Sequence, residues 1–179
     1  GSTNEIGVFR MTGRGLEPVE NPSEIFIAEH SLRVPGSAVT ASLEGTRPLL
    51  VEIQALTAPS NFGNPRRTAL GIDANRLHLL LAVLEKRAGL HLGGLDVYVN
   101  VVGGLKLDDT AGDLAVAAAV ASSLKNRPLP GGCVLFGEIG LSGELRGVSR
   151  SEARIREAAK LGFRKAILPA GTRIPDGRG

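Results

Sequence analysis

Residues 103–124, GGLKLDDTAGDLAVAAAVASSL, constrain the fold more than any other stretch. From Leu114 onward this segment is apolar on every side and built mostly of alanine. A helix without a polar face has to be buried all round. Alanine side chains let neighbouring backbone come close, so the helix belongs in the middle of the fold, with sheet or helix on both sides. The polar turn before it, Asp108 to Asp113, falls at the helix N-terminus, where unpaired N–H groups point outward. Asp108, Asp109 and Asp113 cluster there. Such carboxylates suit a cation or a base, or they cap the free N–H groups.

The rest of the chain builds around that helix. Of the 179 residues, 42% are hydrophobic but only 3% aromatic, so the core is expected to be aliphatic. The length suits one sizeable domain, or a domain with an appendage. Residues 37–43 and 49–56 read as a hairpin joined at Gly45. A loop rich in turn residues follows and ends on Arg66 and Arg67. Asp73 is placed to cap a helix over 74–87, in which Leu77, Leu80, Leu81 and Leu84 share one face and Gly89 ends the run. Residues 96–102 alternate as a strand leading into the alanine helix. Beyond it come a strand over 133–139, a tight hairpin over 137–146, a helix over 149–161 closed by Gly162, and a strand at 165–169. The order β-β-α-β-α-β-β-α-β is an α+β pattern.

Residues 1–33 do not read as the start of an independent domain. Ile6, Val8 and Met11 suggest a short strand broken at Gly13, and Asn21 to Glu24 a turn. The stretch is either an arm or the tail of a preceding domain, or a frayed edge strand of the main one.

Several chemistries are excluded or disfavoured. The chain contains no Gly-Lys pair, hence no GxxxxGK[ST] phosphate loop. A lone Cys133 forbids an internal disulfide framework or a zinc cluster, and His30, His78 and His91 lack metal-ligand spacing, so no metal site is expected. No apolar run is long enough to span a bilayer, and no signal-peptide pattern opens the chain, so a cytoplasmic protein without a membrane partner is expected. The net charge of +3, carried mostly by arginine, permits a nucleic-acid partner without demanding one.

The segment GEIGLSGELRGV, followed by a helix and KAILPAG, is similar to the end of the Lon protease proteolytic domain, of ribosomal protein S5 domain 2-like fold. In that family a Pro-Ser-Ala-Gly turn presents a nucleophilic serine at the start of the central helix, and a lysine on the next helix takes its proton. Aligned without a gap, Thr110-Ala111-Gly112-Asp113 falls on that turn. The resemblance therefore puts Ala111 at the serine position and Arg154 at the lysine position. Alanine offers no nucleophile, and arginine keeps its proton at any ordinary pH. The resemblance implies a catalytically degenerate Lon-like domain over 34–179 and no peptidase. Ser122 and Ser123 lie about three turns down the buried helix, too far to substitute.

A more specific resemblance covers nearly the whole chain. GSTNEIGVFRM with ENPSEIF, then NPRRTALGIDANRLHLLLAVLEKRAGL, then GDLAVAAAVASSLKNRPLP resemble the RadA (Sms) family of bacterial RecA-type DNA-repair ATPases. There a degenerate Lon-like domain follows the ATPase core. Arg10 and Thr110 depart from that family, which often has an acidic residue and a proline at these places. The resemblance implies that 1–33 is the arm or tail of the ATPase core. It implies ATP and zinc in parts absent from this chain, none in this one, and a role in recombination and repair as a homo-oligomer, expected to be a hexameric ring. Sequence-independent DNA contact is then expected from Arg66, Arg67, Lys106, Lys125, Arg127, Arg146, Arg150 and Arg154, the last two sharing a helical face. Phe62 is the one stacking candidate. Two alternatives stay open. Arg154 is also suited to a buried place beside Asp108 or Asp113. The domain as a whole is also suited to a purely structural, ring-holding role without DNA.

Overall fold

Leu77, Leu80 and Leu81 on one helix, and Ala115, Val116, Ala119 and Val120 on the next, all lose nearly all contact with solvent. What they pack against is one face of a six-stranded sheet. A computed structural model describes residues 9–18, 33–61 and 63–175. Among these, the main sheet contains β3 (Ser37–Glu44), β4 (Arg47–Pro59), β5 (Arg67–Leu70), β6 (Leu95–Val101), β7 (Cys133–Leu135) and β10 (Lys165–Ile167). Their spatial order is β10-β7-β3-β4-β6-β5. The β3-β4 and β4-β6 pairs are antiparallel; β10-β7, β7-β3 and β6-β5 are parallel, so the sheet is mixed.

Three described helices cover it. The first, α1 (Ala74–Ala88), starts at Asp73, whose carboxylate accepts from the Arg76 N–H at 3.0 Å, and ends at Gly89 with φ 69°. That left-handed C-cap costs glycine little, which is why the helix stops there. The second, α2 (Asp113–Lys125), is the alanine helix, and it packs on the same face of the sheet, against α1. The third, α3 (Ser151–Lys160), packs on the opposite face of the sheet. Strand alternation divides the core accordingly. Ala38, Ile53 and Leu135 face α1 and α2; Val39, Leu50, Val134 and Phe136 face α3.

Two elements differ from the sequence reading. The strand expected over 133–139 breaks at Gly137. Its N–H donates to the Ala111 carbonyl at 2.8 Å and its carbonyl accepts from Leu114 N–H at 3.1 Å, so the backbone leaves the sheet to hold the turn before α2. It resumes as β8 (Glu138–Ile139), paired with β9 (Leu145–Arg146) in the expected hairpin. The second difference is β5, which begins on the last residue of the expected loop, runs through a stretch to which the sequence reading gave no element, and pairs in parallel with β6.

A two-stranded hairpin, β1 (Phe9–Thr12) with β2 (Gly15–Pro18), pairs with no other strand among the described residues. Met11 lies on β1 and the Gly13 break is its turn; Ile6, Val8, Asn21 to Glu24, His30 and Phe62 lie outside the described residues. His78 and His91 are exposed, and no described helix is long and apolar enough to cross a membrane.

Candidate functional site

The turn that leads into α2 runs extended through Asp109, then closes as one 3-10 turn over Thr110–Gly112. In extended backbone successive side chains point opposite ways. Asp108 accordingly faces solvent and Asp109 turns inward. The Asp109 carboxylate joins residues 111 and 154. Its Oδ1 accepts from the Ala111 N–H at 3.1 Å, and its Oδ2 accepts from Arg154 Nη1 at 2.6 Å.

Arg154 comes from the middle of α3 and is sealed from solvent. Its Nη1 also donates to the Ala41 carbonyl on β3 at 2.7 Å, and its Nε to the Ser149 carbonyl at 2.9 Å. The guanidinium carbon sits 5.8 Å from the centroid of the Phe136 ring, within cation–π range. One side chain thus pins α3, β3 and the turn before α2. A buried charge is tolerated when its donors are matched in this way. Ala111 is itself fully buried, in the cluster with Phe136 and Ala158. A methyl group carries no nucleophile, and a guanidinium is a poor proton acceptor.

Next to this lock stands a second one. Asp113, at the start of α2 and almost wholly buried, accepts from Arg76 of α1 through both oxygens, with Nε at 2.9 Å from Oδ1 and Nη2 on Oδ2. The bidentate fork is the strong form of this pair. Ile139 N–H donates to Asp113 Oδ2 at 3.0 Å, and Arg76 Nη2 donates to the Ile139 carbonyl at 3.3 Å. The hydrogen bond to Asp113 holds the Arg76 guanidinium above its ordinary pKa, against the opposing effect of burial. Thr110 Oγ1 donates to Glu138 Oε2 at 2.6 Å. Beside this lock lies a groove of about 420 Å³ between α1 and the turn, floored by Leu80, Leu107 and Val116 and rimmed by Asp73 and Asp108. The described residues hold no group of side chains arranged to bind a metal ion.

Ser122 and Ser123 are occupied structurally. Ser122 Oγ accepts from the Gly36 N–H at 2.9 Å and donates to the Arg127 carbonyl at 2.5 Å. Ser123 Oγ accepts from the Thr57 N–H at 3.0 Å.

Comparison with known proteins gives this geometry a context. Residues 79–172 match the family described as subunit ChlI of Mg-chelatase. The chain is 58% identical over 95% of its length to a DNA repair protein RadA of Bacillus subtilis, and 57% identical over 94% to that of Halalkalibacterium halodurans. Against the Escherichia coli DNA repair protein RadA it is 53% identical over 99% of its length. The chain belongs to the RadA family of DNA repair proteins and, by residues 79–172, to the ChlI family. It spans between 37% and 39% of the length of these RadA relatives.

For a RadA-family chain the cations are the next concern, and the structure spreads them over separate places. Arg66 is exposed beside β5, its N–H donating to Asp96 Oδ1 at 2.7 Å. Arg67 opens β5 and is half-buried. Its Nη1 donates to the Leu95 carbonyl and its Nη2 to the Leu92 carbonyl at 3.0 Å, so it serves as a clip on the chain entering β6. Lys106 is exposed in the loop facing the β3-β4 turn. Lys125 and Arg127 are exposed at the C-terminal end of α2, remote from the Asp109 turn at the other end. Arg146 is exposed on β9 and pairs with Glu144 at 3.2 Å. Arg150 is exposed just before α3.

Three expectations about these residues are corrected. Arg154 leaves the DNA-contact set, because its side chain is 1% exposed and its charge is matched by Asp109. Nor does it share a helical face with Arg150, which stands outside the helix in left-handed conformation at the N-cap. The sequence reading paired Arg154 with Asp108 or Asp113, whereas the partner is Asp109. It missed the Arg76–Asp113 fork altogether; the two residues lie 37 apart, and nothing local marks them as partners.

Proposed function

We propose that residues 34–179 form a catalytically silent Lon-type domain of a RadA-type repair ATPase, contributing sequence-independent DNA contact and ring assembly in the cytoplasm. Residues 1–33 are then the arm or tail of the ATPase core, and ATP and zinc belong to parts of the longer protein beyond this chain. The observation that carries the reading is the Asp109 carboxylate. It ties residue 111, an alanine, to residue 154, an arginine, the two positions that the Lon alignment assigns to nucleophile and base. A site that keeps its geometry but has lost both reactive groups is suited to holding the domain rather than to cutting peptides. The name carried by the relatives supports a part in DNA repair.

DNA contact falls to the cations that remain accessible: Arg66, Lys106, Lys125, Arg127, Arg146 and Arg150. Arginine and lysine on an exposed surface recognise phosphates without reading sequence. A second reading, an assembly scaffold that never touches DNA, is favoured by Arg154 and Arg67 being committed to protein carbonyls and Arg146 to Glu144. Anisotropy of a labelled single strand, with mass by light scattering, separates the two. The domain reading expects a multimer whose affinity drops at least tenfold in Lys125→Glu/Arg127→Glu. A multimer that leaves the strand unbound at low salt would overturn the DNA part.

A further inference from the structure

Arg150, Arg156 and Arg173 line a single cleft of about 600 Å³ between the start of α3 and the turn that follows β10. They come from two segments of the chain, brought together by the packing of α3 on the sheet. The side chains of Arg150 and Arg173 make no hydrogen bond or ion pair among the described residues, and both are exposed. Arg156 has one weak partner, Glu152, at 3.8 Å. Three guanidinium groups therefore face one carboxylate in a concave space. Arg156 and Arg173 belong to neither the lock around Asp109 nor the cations expected from the sequence.

We infer that this cleft is a phosphate-binding site. Like charges gathered in a concavity raise the local potential and concentrate anions there. The guanidinium fork matches two phosphate oxygens at once, and arginine sheds water more readily than lysine does; a phosphate, with more oxygens and more charge than a carboxylate, can engage several of the three together. The space suits a single nucleotide or a short run of backbone. Val148, Ala153 and Ala170 are its apolar lining, and no aromatic ring is among the lining residues, so a base finds nothing to stack on. Recognition is thus confined to the phosphate and is blind to sequence. The phosphate belongs either to the backbone of a DNA strand, in which case the site rests on the DNA-contact reading above, or to a free phosphate compound, in which case it does not.

The test uses the full chain, titrated separately with inorganic pyrophosphate and with a twelve-nucleotide single strand, with backbone amide shifts as the readout. Both probes are expected to move the amides of Ser151 to Ala153 and of Thr172. Arg156→Ala/Arg173→Ala, two surface changes that leave the fold intact by circular dichroism, is expected to weaken the cleft response at least tenfold. For the strand, it lowers the log–log salt slope by roughly 0.7 per arginine removed. Movement with the strand alone assigns the site to DNA backbone, and movement with pyrophosphate alone assigns it to a free phosphate compound. If the strand binds while the cleft amides stay still for both probes, the site is overturned and the DNA reading survives. If neither probe binds anywhere, both fail.

Discussion

Asp109 has two tasks and 21% of its side chain exposed; Arg154 has three acceptors and 1%. Breaking a buried pair leaves the survivor unmatched, and the more deeply buried survivor is the costlier one. Asp109→Ala strands the arginine and is predicted to lower stability by about 3–5 kcal/mol. Arg154→Lys keeps a charge but loses the fork, and is predicted to cost less than Asp109→Ala; urea unfolding of both variants gives the order. Ala111→Ser places a hydroxyl in the sealed cluster with Phe136 and is predicted to confer no cleavage of a fluorogenic peptide, because a guanidinium is no general base for it. Burial pushes the Cys133 thiol up, with Lys165 opposing it. The stability due to a neutral buried thiol is whole below the ordinary thiol range and lost as the pH climbs through the raised value. Thiol-reagent labelling at pH 8 is therefore expected to run at least about tenfold slower in native than in urea-unfolded protein. At this scale the sequence was informative about residue types and weak about partners. The Lon resemblance singled out residues 111 and 154, and the structure joins them through Asp109. That Asp109 and not Asp108 meets the arginine follows from the extended backbone entering the 3-10 turn, which no residue type announces.

The alanine helix was legible because its composition leaves it one environment, and α1 because Asp73 and Gly89 fix its ends. The short parallel strand β5 was not. Its four residues follow a run of turn formers, and its partner β6 lies about thirty residues on, so only tertiary packing makes it a strand. The break in the strand after Leu135 was hidden for a similar reason, since Gly137 is drawn out by hydrogen bonds to Ala111 and Leu114 from another element. The far end of α2 is held by Ser122, which accepts from the buried N–H of Gly36. Gly36 has φ 88°, and a Cβ there would stand 2.2 Å from the Ala55 carbonyl oxygen, so this close approach admits only glycine. Ser122→Ala is predicted to cost about 1–3 kcal/mol by leaving that donor unpaired. Thermal unfolding measures the loss, and the same variant should bind DNA as the parent does.

On the scale of the whole molecule, the sheet carries α1 and α2 on one face and α3 on the other, with one charged lock between the two neighbouring helices and another between the α2 turn and α3. Asp109–Arg154 joins the α2 turn to α3, and Asp113–Arg76 joins α2 to α1. The two carboxylates, four residues apart, brace the domain around the place where the Lon alignment puts a nucleophile. The exposed cations of the proposed DNA-contact set lie outside this brace, on the β5 edge, the Lys106 loop, the end of α2, strand β9 and the approach to α3. On the proposed reading, a domain braced in this way would present fixed charges to a long polyanion, and a ring of copies would multiply weak contacts. The measurement that bears most directly on the account is the affinity of the chain for single- and double-stranded DNA over a range of salt concentrations, with the solution mass taken in the same buffers. The account predicts a multimer whose affinity falls linearly in log–log against salt, the slope giving the number of phosphates neutralised. A multimer with no measurable DNA affinity at the lowest salt would contradict it and leave the domain an assembly scaffold alone.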